Sequence, residues 1–259
     1  VLAQVCGEKG VPMHLAKWGT IKPLDHDLSG QRFVWREQEY LLPLLGEHQL
    51  RNAAVVLETI LALLRRGWNI SEGAVREGLA RVEWPARFEV LGLAPLFILD
   101  GGHNPQCAQA LAELLQDYLP GQKVTLLMGV LADKEYEEVV RQTVSLAAEV
   151  ITVMTPDNPR ALPAEELANT VKKYNSHVQA AESLAAAVDL AYEKAEKEDA
   201  RLAPYQSVEL AAMARAYYLK ENNYLAPEVE CLKNDDGTTT LHLYEIVKDD
   251  DESSHTATS

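Results

Sequence analysis

The stretch LFILDGGHNP, residues 96–105, contains a short apolar run. An acid, two glycines, a histidine and an asparagine follow that run. In open α/β sheets ligands bind beyond the carboxyl ends of the strands, and Asp100 would stand at such an end. Its carboxylate could accept two hydrogen bonds from a ribose diol, and the glycines would let the backbone approach a ligand closely. His103 and Asn104 would begin the next helix, whose free N–H groups favour anions. An alternative stays open, in which Asp100 and Asn104 only cap that helix.

Two more stretches carry polar groups that could bind a nucleotide. In GEHQLRNAA (46–54) Gln49 and Asn52 are three residues apart, so they share a helix face, and an amide can donate and accept at the edge of a purine. In WPARFE (84–89) the guanidinium of Arg87 could reach phosphate oxygens. Taken singly, Asn52 could also be a polar surface residue, and Arg87 could stack on Trp84 or join an ion pair. Neither stretch decides the function alone.

The overall composition of the chain excludes several classes of protein and of partner. The 259 residues are 47% hydrophobic and 24% charged, as in globular proteins, and no apolar run reaches the roughly 20 residues of a membrane span. A formal net charge of −15 argues against nucleic acid as a partner, because binding to phosphate backbones needs clustered Lys and Arg. The three cysteines are far apart, which predicts reduced thiols, a cytoplasmic location and a packing role for Cys107. The chain begins at Val1 without an initiator Met, as a fragment or a processed product would.

Extended and helical patterns divide the N-terminal third of the chain. GVPMHLAKW (10–18) and QRFVWREQEYLLPLLG (31–46) predict β structure, because both are extended runs bounded by Gly and Pro. Apolar residues then recur at helical spacing as far as Gly67, and Ser71 is placed to cap a second, shorter helix. Pro85 interrupts helical continuation, which indicates a domain junction.

Beyond the junction, apolar strands alternate with helical segments. Because these strands lack polar alternation, they predict a mostly parallel, Rossmann-like α/β sheet with helices on both faces. The predicted strands are 96–100, 123–130, 149–155 and 177–182, and the predicted helices are 105–118, 134–147, 163–174 and 184–198. After Ala200 the pattern predicts a helix over 207–221, a hairpin around Asp236–Gly237 and an acidic, disordered tail over 248–259.

Five motifs, in this order, resemble those of the folylpolyglutamate synthase/dihydrofolate synthase family of the Mur-ligase superfamily. They are GEHQLRNAA, WPARFE, LDGGHNP, GVLADKEYEEV and TPDNPRALPAEEL, and the resemblance covers about residues 1–200. It implies the end of an N-terminal, ATP-binding α/β ATPase domain over 1–86 and a C-terminal Mur-ligase-like α/β domain over 87–200. Residues 201–259 do not fit the family and stay unassigned.

The resemblance implies a role for each matching residue. Asn52 resembles the adenine contact, Arg87 a phosphate or ribose contact, and Asp100 the ribose ligand of ATP. His103 would lie close to the nucleotide or to the interdomain cleft, and it is the catalytic candidate.

Two further matches point to the substrates, which are small molecules. Lys134 follows Asp133 in the ADK stretch and Arg160 belongs to the NPRA motif, where the resemblance implies help with the incoming L-glutamate or a structural role. In this family ATP phosphorylates the carboxylate of a folate or dihydropteroate. The amine of glutamate attacks the resulting acyl phosphate, and ADP and phosphate leave. The expected cofactors are therefore ATP and Mg²⁺.

The sequence also departs from the family pattern. No G-x-x-x-x-G-K-[S/T] phosphate loop occurs in the 259 residues, so the metal ligands are expected in a missing N-terminal part, and the chain alone is expected to be inactive. Ala86 stands where the family usually has Gly, and Gly102 where it usually has Ala. After Ala200 the final strand of the family is not recognisable, which predicts an unpaired position in the sheet unless the C-terminal hairpin fills it.

Two other functions stay open on the sequence. A peptidoglycan-precursor Mur ligase would add an amino acid to a UDP-linked peptide, although the HQ pair before NA and the WPAR stretch favour the folate branch. A non-catalytic nucleotide-binding or interaction module would explain the missing phosphate loop. The joint presence of Asn52, Arg87, Asp100 and His103 speaks against such a loss of the site.

Overall fold

The computed structural model describes residues 1–93, 96–122, 124–198, 201–206, 214, 230–233 and 239–242. The chain divides into two compact units, which are treated separately below. Unit 1 comprises Val1–Glu89 with Glu113–Pro120, and unit 2 comprises Val90–Ala112 with Gly121–Ser259. The domain boundaries predicted at residues 86 and 200 stay predictions.

Unit 1 contains a three-stranded antiparallel sheet and helices. Its elements, in chain order, are α1 (Leu2–Glu8), β1 (Ile21–Asp27), β2 (Gly30–Trp35), β3 (Gln38–Leu42), α2 (Glu47–Arg65) and α3 (Glu72–Ala80). The sheet order is β1-β2-β3, and Trp35 pairs with Gln38 across a two-residue turn. Both turn residues, Arg36 and Glu37, have positive φ, as the tight hairpin turn requires.

The two predicted helices of unit 1 are confirmed, and so is the β structure of residues 31–46. Ser71 caps α3, because its Oγ accepts the N–H of Ala74 at 3.1 Å. The strand predicted over 10–18 is wrong: residues 11–17 have no regular structure, and a short 3-10 turn follows at Trp18–Thr20. An extended pattern becomes a strand only with a hydrogen-bonded neighbour, and in the described part of unit 1 the paired strands all lie within 21–42.

Unit 2 is built on a six-stranded sheet in the order β4-β5-β9-β6-β7-β8. The strands are β4 (Glu89–Leu93), β5 (Leu96–Leu99), β6 (Val124–Gly129), β7 (Glu149–Thr152), β8 (Val178–Ala180) and β9 (Arg201–Gln206). All neighbouring pairs from β5 to β8 are parallel. The helices are α4 (Pro105–Tyr118, its last residues counted with unit 1), α5 (Tyr136–Thr143), α6 (Ala164–Val171) and α7 (Leu184–Glu198).

The central strands β5 and β6 of unit 2 are buried along their whole length. Leu127 and Ile151 are fully shielded from solvent. Continuous apolar runs of this kind are typical of parallel strands that are covered on both faces. The predicted fold class, a mostly parallel α/β sheet of the Mur-ligase type, is confirmed.

The expected empty position in this sheet is filled by the chain itself. β9 pairs with β6 over six positions, from Val124 opposite Arg201 to Gly129 opposite Gln206, and it also pairs with β5. The sequence pattern hides this strand, because Pro204 lacks the N–H that a central strand normally donates. The expectation of an unpaired position is therefore wrong.

The C-terminal hairpin prediction is confirmed as far as the described residues reach. β10 (Glu230–Lys233) and β11 (Thr239–His242) pair in antiparallel fashion, with Lys233 opposite Thr239. The turn at Asp236–Gly237, the helix predicted over 207–221 (apart from Ala214) and the tail over 248–259 lie outside the described residues. Within the described part of the chain, no helix has both the length and the apolar character needed to cross a membrane.

Candidate functional site

Asp100 lies directly after β5, at the carboxyl end of a buried parallel strand, as predicted. Its Oδ1 accepts the N–H of Gly102 at 2.8 Å, so the carboxylate is held by its own loop. Asn104 caps α4, because its Oδ1 accepts the N–H of Cys107 at 2.9 Å. The capping alternative therefore holds for Asn104, whereas Asp100 bonds to the loop that leads into the helix.

The exposed imidazole of His103 belongs to the same loop. Its Nδ1 lies 3.3 Å from the carbonyl oxygen of Gly101. A carbonyl can only accept, so this contact favours the tautomer in which Nδ1 carries the proton and Nε2 is an acceptor. Nε2 has no hydrogen-bond partner among the described residues. The loop thus presents a carboxylate and an imidazole acceptor at the end of one strand.

Asn52 and Gln49 are in contact at the start of α2, as their spacing predicts. The Nδ2 of Asn52 donates to the Oε1 of Gln49 at 3.0 Å. Gln49 is buried and Asn52 is exposed, so the buried amide orients the exposed one. The remaining Oδ1 and N–H of Asn52 form an acceptor–donor pair that suits a purine edge.

Gly46 anchors the start of this helix through its backbone. Its N–H donates to the Tyr118 hydroxyl at 3.2 Å, and its carbonyl oxygen accepts from Gln31 Nε2 at 3.0 Å and from the N–H of Gln49 at 2.9 Å. Gly46 has φ +99°, and a Cβ there would lie 2.7 Å from the Cδ2 of Leu114. Only glycine fits this backbone conformation without strain.

His48, next to Gln49, is a further titratable group that the sequence reasoning did not single out. Burial lowers the pKa of His48, and the positive charges of Arg87 and Arg51 lower it further, while Glu113 opposes them. The imidazole is therefore neutral at pH 7. The only signal in the sequence is its place in the HQ pair, and spacing alone does not reveal its burial.

Arg87 is held in a tight loop. Ala86 and Phe88, on either side of it, have φ +57° and +48°. The Nη1 of Arg87 donates to the carbonyl oxygen of Ala86 at 3.2 Å, and the N–H of Ala86 donates to Glu89 Oε2 at 2.8 Å. The half-buried guanidinium is thus positioned by its own turn, and no cation–π contact with Trp84 occurs in this described loop.

In unit 2 the structure joins the ADK stretch to the NPRA motif. The Nη1 of Arg160 lies 3.1 Å from the Oδ2 of Asp133, and the carbonyl oxygen of Arg160 accepts the N–H of Ala132 at 2.8 Å. Both side chains are about half exposed. Residues 27 positions apart in the chain therefore form one surface site.

Lys134 lies beside this pair and lines an open groove of about 410 Å³. Three carboxylates and Arg141 also line the groove, together with Tyr136 and Tyr174. The pKa of Glu138 is lowered to about 2, because Arg141 and Gln142 hydrogen-bond its carboxylate. Lys134 itself forms no ion pair among the described residues.

Comparison with known proteins points to the same family as the sequence motifs. Residues 86–203 match the family described as Mur ligase, glutamate ligase domain. The folylpolyglutamate synthase of Lacticaseibacillus casei is 35% identical over 140 residues, which are 52% of this chain and 32% of that protein. The crystal structure of the Thermotoga maritima folylpolyglutamate synthase matches with a TM-score of 0.67 and 29% identity, over 84% of this chain and 50% of that one. The Mycobacterium tuberculosis folylpolyglutamate synthase, complexed with ADP and AMPPCP, matches with a TM-score of 0.72 and 26% identity, over 85% of this chain and 52% of that one.

The resemblance to the folylpolyglutamate synthase/dihydrofolate synthase family is confirmed, and the Mur ligase match covers residues 86–203. The chain spans about half the length of the solved structures it matches and about a third of the Lacticaseibacillus casei enzyme. The match to the Mur ligase family reaches residue 203, and so includes the first residues of β9.

The backbone geometry at position 86 favours glycine. Ala86 is buried and has φ +57°, a conformation that costs an alanine about 1 kcal/mol and a glycine almost nothing. In this chain the turn that holds Arg87 forms despite that strain. The structure places each of the six predicted site residues in a described segment, and it leaves their functions as predictions.

Proposed function

We propose that this chain supplies the C-terminal part of an ATP-dependent ligase that joins L-glutamate to the carboxylate of a folate or dihydropteroate. The observation that carries the proposal is the loop after β5, where Asp100 and His103 stand at the carboxyl end of a buried parallel strand. Such strand ends are the usual ligand sites of α/β sheets. The resemblance to the family supplies the reaction class.

Three side chains are suited to hold a nucleotide. The exposed amide of Asn52, oriented by Gln49, would pair with the edge of adenine. Asp100, held by the N–H of Gly102, would accept the ribose hydroxyls. The guanidinium of Arg87 would pair with phosphate or ribose oxygens. These donor and acceptor types fit ATP, which would supply the phosphoryl group that activates the substrate carboxylate.

Two cations of unit 2 are suited to hold the incoming glutamate. Arg160, fixed by Asp133, could bind a carboxylate, and so could Lys134, which forms no ion pair within the described part of the chain. His103 would accept a proton from the glutamate amine as that amine attacks the acyl phosphate, because its Nε2 is an acceptor in the favoured tautomer. In this arrangement the chain binds and orients the substrates, and moves one proton.

The phosphate loop and the Mg²⁺ ligands would come from another segment. No phosphate-loop pattern occurs in residues 1–259, and the described residues contain no group of three or more His, Cys, Asp or Glu that could hold a metal ion. A ligase must disperse the charge of the transferring phosphoryl group, chiefly through such a loop and its metal. We therefore expect negligible turnover from the chain alone.

The test is joining of radiolabelled glutamate to a reduced folate with ATP and Mg²⁺. The chain is assayed alone and together with the phosphate-loop-bearing half of the Lacticaseibacillus casei enzyme, produced separately. We expect background activity alone and restored turnover in the mixture, with at least a tenfold loss on Asp100→Asn, of the order seen when one charged contact is removed. Glu182→Gln, an equal charge change on an exposed bend, is the matched control.

Binding of a fluorescent ADP analogue, measured in parallel, separates the outcomes. A mixture that binds the analogue without turnover would favour a non-catalytic nucleotide-binding module. A mixture that neither binds nor turns over would refute the proposal. Turnover by the chain alone would show that it carries a phosphate site of its own.

A further inference from the structure

Helix α2, which carries the proposed adenine contact Asn52, begins at a glycine. Its N-cap residue is Gly46, which has no side chain and so cannot accept a free N–H of the first turn. Glycine also leaves the backbone freer than any other residue does, and helix ends open more easily than helix interiors. The position of Asn52, within the first two turns, therefore depends on contacts that other parts of unit 1 supply.

Two side chains from outside the helix hold the polar groups of Gly46. The hydroxyl of Tyr118, in α4, accepts its N–H at 3.2 Å, and the Nε2 of Gln31, in β2, donates to its carbonyl oxygen at 3.0 Å. Gln31 is only 3% exposed, and its Nε2 also donates to the carbonyl oxygen of Leu44 at 2.6 Å. Both hydrogens of that buried amide are thus used. Tyr118 and Gln31 together take the place of a side-chain cap.

The path from Gly46 to Asn52 is short. The carbonyl oxygen of Gly46 accepts the N–H of Gln49 at 2.9 Å, and the Oε1 of Gln49 accepts the Nδ2 of Asn52 at 3.0 Å. Gln49 is 7% exposed, so its amide has little freedom as long as the helix start is in place. The Asn52 amide is then fixed with its Oδ1 as an acceptor and one N–H as a donor.

A fixed amide can distinguish one purine from another. Adenine offers an amino donor and a ring-nitrogen acceptor, which match the Oδ1 and N–H of Asn52. Hypoxanthine offers a carbonyl acceptor and an N–H donor at the same edge, which do not match. An amide that is free to turn over would accept either base. The hold on the helix start is therefore a condition for selecting adenine.

The ring of Tyr118 contacts a second segment of unit 1. It packs against Phe88, with the ring centroids 5.8 Å apart, and against His26 at 4.6 Å. Both distances are those of favourable aromatic pairs. Phe88 has φ +48° and directly follows Arg87, the proposed phosphate or ribose contact. One side chain thus contacts both the start of α2 and the turn that holds Arg87.

We propose that Tyr118 is a positioning residue of the nucleotide site, whose hydroxyl sets the place of Asn52 and whose ring supports the turn of Arg87. This role rests on the proposed function, in which those two residues bind ATP. Tyr118 acts through Gly46 and Phe88 and not by contact with the ligand. A shift of about 1 Å in a binding group is costly, so a residue that fixes two such groups controls both affinity and selectivity.

The experiment compares ADP with inosine diphosphate, which differs from ADP only at the purine edge. Calorimetry measures both affinities in a mixture of the full chain with the phosphate-loop-bearing half of the Lacticaseibacillus casei enzyme. We expect the parent mixture to prefer ADP by about tenfold or more. Tyr118→Phe keeps the ring, and because burial raises the pKa of Tyr118 the change removes a neutral group. It should reduce the preference by about threefold or more and change the affinity for inosine diphosphate by less than about twofold.

Two further variants separate the hydroxyl from the ring. Gln31→Met removes the hydrogen bond to the carbonyl oxygen of Gly46, so it should lower the preference for ADP as Tyr118→Phe does. Tyr118→Leu also removes the ring contact with Phe88. It should weaken the binding of both nucleotides by about fivefold or more, because the turn of Arg87 is then loosened as well.

Amide hydrogen exchange of the full chain without nucleotide measures the helix start directly. Tyr118→Phe should speed the exchange of residues 50–53 by about fivefold or more and leave that of α3 unchanged. Tyr40→Phe removes a hydroxyl from a buried ring of the same unit and is the matched control. It should leave the exchange and both nucleotide affinities within about twofold of the parent.

Four results would overturn the role of Tyr118. They are a parent that does not distinguish the two nucleotides, a preference that survives Tyr118→Phe, an equal loss of affinity for both nucleotides in that variant, and unchanged exchange in the first turns of α2. An equal loss is what a general loss of stability would produce.

These results are separable from failure of the proposed function. A parent mixture that binds neither nucleotide would refute the nucleotide site and, with it, the role of Tyr118. A mixture that ligates glutamate and keeps its preference in Tyr118→Phe would refute the role of Tyr118 alone.

Discussion

The two sheets of the molecule differ in how many of their apolar side chains are buried. Strands β5 and β6 of unit 2 are buried at every residue, since helices cover a parallel sheet. In unit 1, strand β3 buries Tyr40 and Leu42 and exposes Leu41 between them, as a sheet with one covered face does. Unit 1 also leaves Val55 and Trp84 in contact with water. The central strands of unit 2 are therefore fully buried, whereas unit 1 exposes more of its large apolar side chains among the described residues.

The largest loss of stability that would test this comparison is expected from a mutation in the core of unit 2. Leu127, in the centre of β6, is fully buried, so Leu127→Ala should lower the free energy of unfolding by about 2–5 kcal/mol. Val55→Ala in unit 1 should change it by less than about 0.5 kcal/mol, because the side chain is exposed. Urea unfolding followed by far-UV circular dichroism measures both. Equal losses would mean that Val55 is already covered.

Gly46→Ala tests the most constrained backbone position of unit 1. The φ of +99° and the contact with Leu114 predict a loss of about 1–3 kcal/mol in the free energy of unfolding. All four tryptophans belong to unit 1, so their emission reports this loss directly. Gly78→Ala, in the interior of α3 with nothing within 4 Å of the new Cβ, is the control. It should stabilise unit 1 slightly, and a similar loss at both sites would contradict the strain argument.

At Ala86 we expect a smaller change in the free energy of unfolding, and one of opposite sign. Replacing Ala86 by Gly relieves the left-handed conformation, and the gain should be about 0.5–1 kcal/mol in the free energy of unfolding. Ala53→Gly, a buried helical position of the same unit, should instead cost about 1 kcal/mol. Tryptophan-detected urea unfolding distinguishes the two signs. A loss at position 86 would show that the turn is not strained.

The acid sensitivity of unit 1 depends on His48. Its pKa lies below the usual 6.5, mainly because of burial, so the unfolded chain takes up a proton at a higher pH than the folded chain does. The stability of unit 1 should therefore fall as the pH drops below about 6.5, and His48→Gln should flatten that slope. The measurement is the tryptophan-detected unfolding midpoint between pH 7.5 and 5. An unchanged slope in the variant would assign the effect to another group.

The stability of unit 2 should fall at a lower pH than that of unit 1, and by a smaller amount. The pKa of Glu138 is lowered from 4.5 to about 2 by its hydrogen bonds with Arg141 and Gln142. This contribution is present above about pH 4.5 and is lost as the pH falls towards 2. Glu138 is partly exposed to solvent, so the effect is small and screened by salt. Glu138→Gln should remove it from the circular dichroism midpoint measured between pH 5 and 3, and a steeper slope would contradict it.

Prediction from the sequence succeeded where local periodicity is sufficient. The strands β5, β6, β7 and β8, the helices α2 and α4, and the cap at Ser71 follow from spacing and residue type within about 20 neighbouring residues, whereas β4 was not predicted. The strand predicted over 10–18 failed, because an extended pattern does not supply a partner strand. The same limit applies to the site: spacing indicated that Gln49 and Asn52 share a face, and it could not reveal the burial of His48.

The sequence by itself determined the fold class, the resemblance to a family and the segments that carry the candidate residues, since these depend on local patterns and ordered motifs. Only the tertiary structure placed β9 between β5 and β6, brought Arg160 to Asp133, and tied Gly46 to Tyr118. Each of these contacts joins residues that are distant in the chain. Their formation depends on which backbone groups and side chains are close in space after folding, and no local spacing encodes that proximity.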